Sequence, residues 1–163
     1  MILAEVFNSN QSSWNETKDS IISLENEAFE QHPFTEDELE KDFINSENTI
    51  VLLKNLDNQE IIGFAYAKPM EPETSGSPAL PGETAWMWDT VIKKDYRGKG
   101  LLGVIMDKLE NELKIRGFKY LERNALIAND FAENISRHYK ERIIKSFPLE
   151  SKWGPQVFFR IEL

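Results

Sequence analysis

Two kinds of hydrophobic spacing alternate along the chain. Apolar residues recur three and four positions apart in segments such as 101–113, and they alternate or cluster in short β-rich segments such as 49–53 and 84–92. Taken in chain order, these segments predict the elements β-α-α-β-β-β-α-β-α-β-β. The predicted fold is therefore mixed α/β, of the α+β-like kind, with six to seven strands and about four helices.

Local signals predict where several of these elements begin and end. Ser13-Trp14-Asn15-Glu16 and Thr35-Glu36-Asp37-Glu38 both have the form of a capping box, so a helix is expected to begin at each. Two β-rich runs at 49–53 and 61–67, separated by a turn, predict a hairpin. Residues 69–82 contain four prolines and two glycines and are expected to form a long loop.

The second half of the chain contains a predicted β-α-β unit at 84–127, in which the helix begins at Leu101 and ends at Gly117. Asn129 is the expected N-cap of another helix, which continues to about Ile144. The segment 147–163 predicts two further strands.

Length and composition narrow the class of protein. A chain of 163 residues predicts a single domain, spanning 1–163. The sequence contains no cysteine, which excludes disulfides, thiolate metal sites and a cysteine nucleophile. It contains no apolar run long enough to span a membrane, and its first residues lack the basic start of a signal peptide. These features predict a cytoplasmic protein with no membrane partner.

The charge is unevenly distributed. The net charge is −9, yet residues 91–123 contain 9 Lys+Arg and only 5 Asp+Glu, whereas residues 1–90 contain 4 and 18. An acidic chain is a poor nucleic-acid binder, because that affinity depends mainly on neutralising phosphates. The basic segment therefore indicates a local anion site on an acidic protein.

That basic segment contains the sequence Asp-Tyr-Arg-Gly-Lys-Gly-Leu-Leu-Gly at 95–103. A strand, a glycine-rich turn and a helix place free backbone N–H groups and the positive end of a helix dipole at one point, and phosphate is the usual ligand there. The turn lacks the Lys-Ser/Thr of a Walker A loop. It matches the spacing Gly-x-Gly-x-x-Gly, but it follows at least three strands and the next strand ends without an acidic residue, unlike the dinucleotide fingerprint.

Residues 96–102 resemble the acyl-CoA pyrophosphate loop of the GNAT superfamily of N-acetyltransferases, whose usual form is Gln/Arg-x-x-Gly-x-Gly/Ala. Arg97 and Gly100 match that form, whereas Leu102 stands where Gly or Ala is usual. The resemblance implies a central twisted mixed sheet and an enzyme that uses acetyl-CoA as co-substrate. Dimers are common in that superfamily, so a homodimer is compatible with the resemblance.

The resemblance also implies roles for particular residues. The backbone of Val91, Ile92 and Lys93 would bind the pantetheine arm. Tyr139 would protonate the leaving CoA thiolate, while the helix asparagine of the superfamily has two candidates here, Asn129 and Asn134. The residues expected to hold the pyrophosphate are Arg97, Gly98, Lys99, Gly100, Leu101 and Leu102.

Acyl transfer to an amine needs a group that accepts the amine proton, because a lysine-like amine has a pKa near ~10.4. Asp89 and Glu83 are the nearest strand carboxylates, and a free strand N–H near Ile92 could stabilise the oxyanion. This chemistry requires no metal. The pocket for the acceptor is expected from residues 25–40 and 69–84.

The sequence thus predicts an N-acetyltransferase that transfers the acetyl group of acetyl-CoA to a primary amine by direct attack in a ternary complex. The acceptor is expected to be a small-molecule or peptide amine rather than a nucleic acid. A non-catalytic acyl-CoA-binding or sensing module is the alternative, and a nucleotide-binding domain is a third hypothesis.

Overall fold

The computed structural model describes residues 1–70 and 82–163. In this part of the chain the predicted element order is confirmed, with seven strands and four α-helices. The elements are β1 (Ile2–Val6), α1 (Gln11–Ala28), α2 (Glu36–Phe43), β2 (Thr49–Asn55), β3 (Glu60–Pro69), β4 (Thr84–Ile92), α3 (Leu101–Ile115), β5 (Tyr120–Leu126), α4 (Phe131–Tyr139), β6 (Ile143–Ser151) and β7 (Gly154–Glu162). The predicted loop at 69–82 lies for the most part outside the described residues.

The sheet is mixed, and its strand order is β1-β2-β3-β4-β5-β7-β6. The pairs β1–β2, β2–β3, β5–β7 and β6–β7 are antiparallel, whereas β4 and β5 are parallel. The parallel pair flanks α3, as expected for a β-α-β crossover. The chain divides into two compact units, the first made of Met1–Lys68 with Trp88–Glu112 and the second of Pro69–Met87 with Leu113–Leu163.

The N-termini of α1 and α2, both in the first unit, test the two capping predictions. Thr35 caps α2 with a complete capping box, in which Glu38 returns a carboxylate to the Thr35 N–H, so that prediction is confirmed. The prediction at Ser13 is wrong, because α1 begins earlier, after Asn10. The Asn10 side chain accepts the Ser13 N–H at 2.8 Å, which places Ser13 within the first turn.

The core of the first unit is aromatic. Phe43 at the end of α2 lies 5.4 Å from Trp14 on α1 and 5.8 Å from Phe64 on β3, as measured between ring centroids. Apolar side chains of β2, such as Leu52, complete this cluster, which also includes Val91 of β4. Burial of these side chains fixes α1 and α2 on one face of β2 and β3.

The second unit is built on the antiparallel strands β5, β7 and β6. Leu121 and Ile161 are paired across β5 and β7 and fully buried, and Ile135 of α4 is buried as well. Glu122 is buried on β5, where its carboxylate accepts a hydrogen bond from Arg160 of β7 at 2.8 Å. The buried charge is therefore paired within its own sheet.

The predicted helix from Asn129 to Ile144 needs correction. Asn129 has a φ of 58° inside a 3₁₀ turn, α4 begins at Phe131 and ends at Tyr139, and Ile144 belongs to β6. Lys140 ends the helix because its φ of 37° lies outside the helical region. A search of the described helices finds none that is both long and apolar enough to cross a membrane.

Candidate functional site

The carboxyl end of β4 is held against β3. The Lys93 N–H donates to the Ile62 carbonyl at 2.8 Å. A Cβ built on Gly63 would lie only 2.7 Å from the Val91 carbonyl oxygen, so β3 needs a glycine at this point of close approach. The backbone groups of Val91 and Lys93 therefore face β3, and those of Ile92 face the opposite edge of β4.

On its other edge, β4 has a short register with β5. Its parallel register with β5 covers Thr84, Ala85 and Trp86, although β4 continues to Ile92. A strand edge of this kind can accept an extended ligand by backbone hydrogen bonds.

The turn after β4 has the backbone geometry that its glycines predict. Gly98 and Gly100 have φ values of 74° and 77°, in the left-handed region that glycine adopts without penalty. A Cβ built on either glycine meets no atom within 4 Å. The glycines are therefore needed for the backbone conformation, and the described residues leave the space above them open to a ligand.

This turn leads directly into α3, which begins at Leu101. The first N–H groups of a helix have no partner within the helix, and the helix dipole places partial positive charge at the same point. Lys99 lies in the turn with its ammonium 5.2 Å from the Tyr96 ring centroid. The backbone of Leu101 and Leu102 starts the helix, and this geometry suits an anion.

Arg97 is bound to the strand that precedes the turn. Its Nε donates to the Ile92 carbonyl at 2.8 Å, and this bond uses one of the five guanidinium donors. The bond also occupies the Ile92 carbonyl at the open edge of β4. The strand end and the turn are therefore tied together by a side chain that retains donors for an anion.

Four side chains, two from the β2–β3 hairpin and two that follow β4, fix the position of this region. Asn55 Nδ2 donates to the Tyr96 hydroxyl at 3.1 Å, and that hydroxyl lies 3.4 Å from Glu60 Oε2. Glu60 is also paired with Lys93. The hydrogen bond from Lys93 lowers the pKa of Glu60, and the same bond raises the pKa of Lys93. These contacts join residues 33 to 41 positions apart, so they gave no signal in the sequence.

A second feature of the first unit is a buried carboxylate at the end of α2. Asp42 Oδ2 accepts the Tyr66 hydroxyl at 2.9 Å, and Asp42 Oδ1 pairs with the Lys68 ammonium at 2.7 Å. Burial raises the pKa of Tyr66 far above its usual value, and the charges of Asp42, Asp89 and Glu25 raise it further. Tyr66 is therefore a neutral hydrogen-bond donor among carboxylates.

Two aromatic rings lie beside this carboxylate group. Phe34 and Trp88 are stacked with ring centroids 6.1 Å apart, and the Lys68 ammonium lies 3.7 Å from the Trp88 ring centroid. Glu25, which is only 1% exposed, accepts the Phe34 N–H at 2.9 Å. Glu25 and Phe34 fall in the segment 25–40 that was expected to build an acceptor pocket, but their individual roles had no sequence signal.

The two carboxylates considered as the base, Asp89 and Glu83, have different surroundings. Asp89 is buried on β4, on the face opposite Trp88, as the alternation of β4 predicts. Glu83 lies in the turn before β4 and pairs with Lys119 at 3.0 Å, and this hydrogen bond raises the pKa of Lys119. The Glu83 carbonyl also accepts the N–H groups of Lys119 and Tyr120.

Tyr139 is the last residue of α4 and is 1% exposed. The His138 ring lies edge-on to it with centroids 4.8 Å apart, and the Arg142 guanidinium lies 5.2 Å from the Tyr139 ring centroid. Asn129 and Asn134 are both exposed, the first in the left-handed turn before α4 and the second on the helix itself. All these residues belong to the second unit.

Solved structures with the same architecture cover nearly the whole chain. A ribosomal-protein-alanine N-acetyltransferase from Brucella melitensis is 13% identical with a TM-score of 0.74, and 99% of each chain is covered. An N-acetyltransferase from Staphylococcus aureus Mu50 is 19% identical with a TM-score of 0.72, covering 99% of this chain and 98% of that one. The aminoglycoside 6'-N-acetyltransferase from Enterococcus faecium is 15% identical with a TM-score of 0.71, covering 98% and 96%. At these identities the likeness establishes an acetyltransferase fold.

The sequence model described as "Acetyltransferase (GNAT) family" matches residues 5–134. The chain therefore belongs to the GNAT acetyltransferase family, as its resemblance to that superfamily predicts. No curated protein matches the chain at a significant level.

Proposed function

We propose that this protein is an N-acetyltransferase that transfers the acetyl group of acetyl-CoA directly to a primary amine in a ternary complex. The observation that carries the proposal is the turn at 97–100, where two glycines with positive φ leave open space at the N-terminus of α3. Membership in the GNAT family makes acetyl-CoA the expected ligand. We further propose that residues 1–163 act as one catalytic domain.

The residues present fit such a co-substrate. The N–H groups of the segment 97–102 and the guanidinium of Arg97 would hold the pyrophosphate, since charge-assisted bonds to phosphate are strong. The strand end at Val91, Ile92 and Lys93 would position the pantetheine arm. Because the backbone groups of Val91 and Lys93 are turned towards β3, the direct hydrogen bond would come from the Ile92 N–H, on the edge of β4 that faces away from β3. Asn129 and Asn134 remain the two candidates for a further contact.

The acceptor amine must lose a proton before it attacks. Asp89 is the better candidate for the proton acceptor, directly or through a water, because it is buried on β4 near the open strand edge. The Glu83 carboxylate is the second candidate, although it is engaged with Lys119. A strand N–H near Ile92, other than the one that binds the pantetheine arm, would stabilise the oxyanion of the acyl-transfer step.

The transfer needs no reactant other than acetyl-CoA and the amine. The amine nitrogen forms a bond to the acetyl carbonyl carbon, the C–S bond breaks, and its electron pair leaves with sulfur. We propose that the Tyr139 hydroxyl supplies the proton that converts this thiolate to free CoA, and that the proton removed from the amine restores the tyrosine by way of solvent. Neither step uses a metal.

We propose that the acceptor is a small-molecule or peptide amine. Proteins with this fold include enzymes named for a protein alanine and for an aminoglycoside, so the fold serves both kinds of amine. A homodimer is proposed on the family resemblance alone. The rival function is a non-catalytic acyl-CoA sensor, and the burial of Tyr139 favours it, since a tyrosine 1% exposed can serve as core packing.

Tyr139→Phe separates these two functions. We expect the mutation to lower kcat for thiol release by roughly 100-fold or more, because general acid catalysis contributes about 10²–10⁴, with little change in the KM for acetyl-CoA. The matched control is Tyr120→Phe, a tyrosine on β5 whose ring contacts Arg160. Absence of turnover in the wild type with every amine tested, together with tight binding of CoA, would support the sensor instead.

A further inference from the structure

Glu25 has an unusual environment for a carboxylate. Its side chain is buried on α1, and one oxygen accepts the Phe34 N–H at 2.9 Å. The other oxygen, Oε2, has no hydrogen-bond partner among residues 1–70 and 82–163. Burial of a charge without compensation is costly, so an unpaired carboxylate oxygen in a folded protein requires an explanation. Because Oε2 is itself buried, a ligand cation would interact with it through space rather than by contact.

The aromatic surface next to Glu25 already binds an ammonium group. Trp88 is 39% exposed, and the Phe34 ring stacks on it. Phe34 is also the residue whose backbone N–H donates to Glu25. The ammonium of Lys68 lies 3.7 Å from the Trp88 ring centroid while paired with Asp42. An aromatic face beside carboxylates is the arrangement that attracts alkylammonium groups.

The charge of the surrounding residues favours the same ligand. Asp42, Asp89 and Glu25 are close enough to the Tyr66 hydroxyl to raise its pKa by their charges. Three carboxylates thus act on one small region of the first unit, in which the Lys68 ammonium is paired with Asp42. A charge interaction acts over several ångströms in a partly buried site, so a cation on the Trp88 face need not contact Glu25 to be stabilised by it.

We propose that Phe34 and Trp88, together with the buried carboxylate of Glu25, form a subsite for a second, non-reacting ammonium group of the acceptor, which takes the place of the Lys68 ammonium over the Trp88 ring. The preferred acceptors are then diamines or polyamines rather than monoamines. This inference rests on the proposed N-acetyltransferase function, because it describes the amine that the same site would receive.

The length of strand β4 sets the spacing of the two amino groups. Trp88 and Ile92 lie on the same face of β4, four residues apart, which corresponds to about 13 Å between their Cα atoms. The reacting amine would lie near the thioester at the Ile92 end, and the second ammonium near Trp88. Longer diamines should therefore gain more from the subsite than short ones.

The experiment compares diamines with monoamines of equal length. Thiol release from acetyl-CoA is measured with 1,4-diaminobutane against butylamine and with 1,8-diaminooctane against octylamine. We expect kcat/KM for the wild type to be about tenfold higher for the longer diamine than for its monoamine, within the range of a partly desolvated cation–π contact. The advantage should be smaller for the shorter pair.

Two variants test whether Trp88 and Glu25 form the proposed subsite. Trp88→Leu removes the ring, and Glu25→Gln removes the buried charge, so each should reduce the diamine-to-monoamine ratio to near one. The controls are Trp153→Leu, an equally exposed tryptophan with Lys152 over its ring in the β6–β7 turn, and Glu16→Gln on the exposed side of α1. Neither control should alter the ratio. Trp88→Leu, at an exposed position, keeps the test valid if Glu25→Gln fails to fold.

Direct binding separates this inference from the proposed function. If the wild type acetylates both amines of a pair equally well, the function stands and the subsite is wrong. If no amine is acetylated, calorimetric titration of 1,8-diaminooctane into the CoA-bound protein decides. Binding that is lost in Trp88→Leu and kept in Trp153→Leu supports the subsite, whereas absence of binding overturns it.

Discussion

The glycines of the turn before α3 allow a test in which backbone strain and ligand contact can be separated. Gly100 and Gly117 have φ values of 77° and 94°, and a Cβ on either meets no atom of the described residues within 4 Å. Replacing either with alanine therefore adds the same kind of backbone penalty, about 1–2 kcal/mol for an L-residue in the left-handed region. Gly117 ends α3, where its N–H bonds to the Lys114 carbonyl, and has no proposed ligand role.

The two variants should thus be alike in stability and different in binding. Each should lower Tm by roughly 2–8 °C, since about 1 kcal/mol corresponds to 2–4 °C in a chain of this size. In Gly100→Ala the added methyl group also enters the space proposed for the pyrophosphate. Loss of one hydrogen bond to a charged group, about 1.5–3 kcal/mol, would weaken acetyl-CoA binding roughly ten- to hundredfold.

The assay is calorimetric titration of acetyl-CoA into the wild type and both variants, with thermal unfolding measured on the same samples. Gly117→Ala serves as the control and should bind acetyl-CoA as the wild type does. Equal affinities for Gly100→Ala and Gly117→Ala would refute the reasoning, because they would mean that the ligand does not approach the turn closely.

Three further predictions concern the surroundings of this turn. Gly63→Ala should destabilise the fold by about 1–3 kcal/mol, as overpacking does, since its Cβ would lie 2.7 Å from the Val91 carbonyl; an unchanged denaturation midpoint would contradict this contact. Asp89→Asn should lower kcat/KM by roughly 100-fold while Glu83→Gln stays near the wild type, and the reverse order in a thiol-release assay would assign the base to Glu83. Glu60→Gln should destabilise the protein at neutral pH, because the Glu60 pKa is lowered from 4.5 in the fold by its bond to Lys93. Stability from a lowered carboxyl pKa is complete above the unfolded pKa and is lost as the pH falls through the lower, folded pKa. The difference between wild type and Glu60→Gln in urea unfolding should therefore be full well above pH 4.5 and should shrink as the pH falls below it.

The element order could be predicted because the strongly periodic segments are local signals. Thr35 and Glu38 form their capping box within one turn, and the sequence predicts it correctly. At α1 two cap candidates, Asn10 and Ser13, lie three residues apart, and the structure selects Asn10. Local patterns cannot decide between them when the intervening residues are compatible with a helix.

The end of α4 shows a second reason why a local sequence pattern can place the end of an element wrongly. Lys140, Glu141 and Arg142 are all good helix formers, so the sequence predicted that the helix continues to about Ile144. Instead the chain leaves the helix at Lys140, with a φ of 37°, and Ile143 begins β6. Pairing of β6 with β7 outweighs the helix propensity of these residues, and such tertiary effects are absent from a local pattern.

One part of the candidate site could be predicted from the sequence, and the other part could not. The turn at 97–102 is continuous in sequence and could be recognised from its glycines and cations. Its anchors, Asn55 and Glu60, come from a distant segment, and so do the residues of the second group, in which Phe34 links Glu25 to Trp88. Only folding brings such residues together, so composition and spacing could not reveal them.

The central claim is that the turn at 97–102 binds the pyrophosphate of acetyl-CoA, and a thermal-shift series tests it most directly. Wild type and Arg97→Glu are heated with acetyl-CoA, CoA, ATP or NAD, each at about 1 mM. A ligand at 100 times its Kd stabilises the fold by about 2.7 kcal/mol, or roughly 5–10 °C in Tm for a chain of this size. We predict such a shift with acetyl-CoA and CoA alone, reduced in Arg97→Glu. Absence of a shift with both CoA species in the wild type would contradict the account.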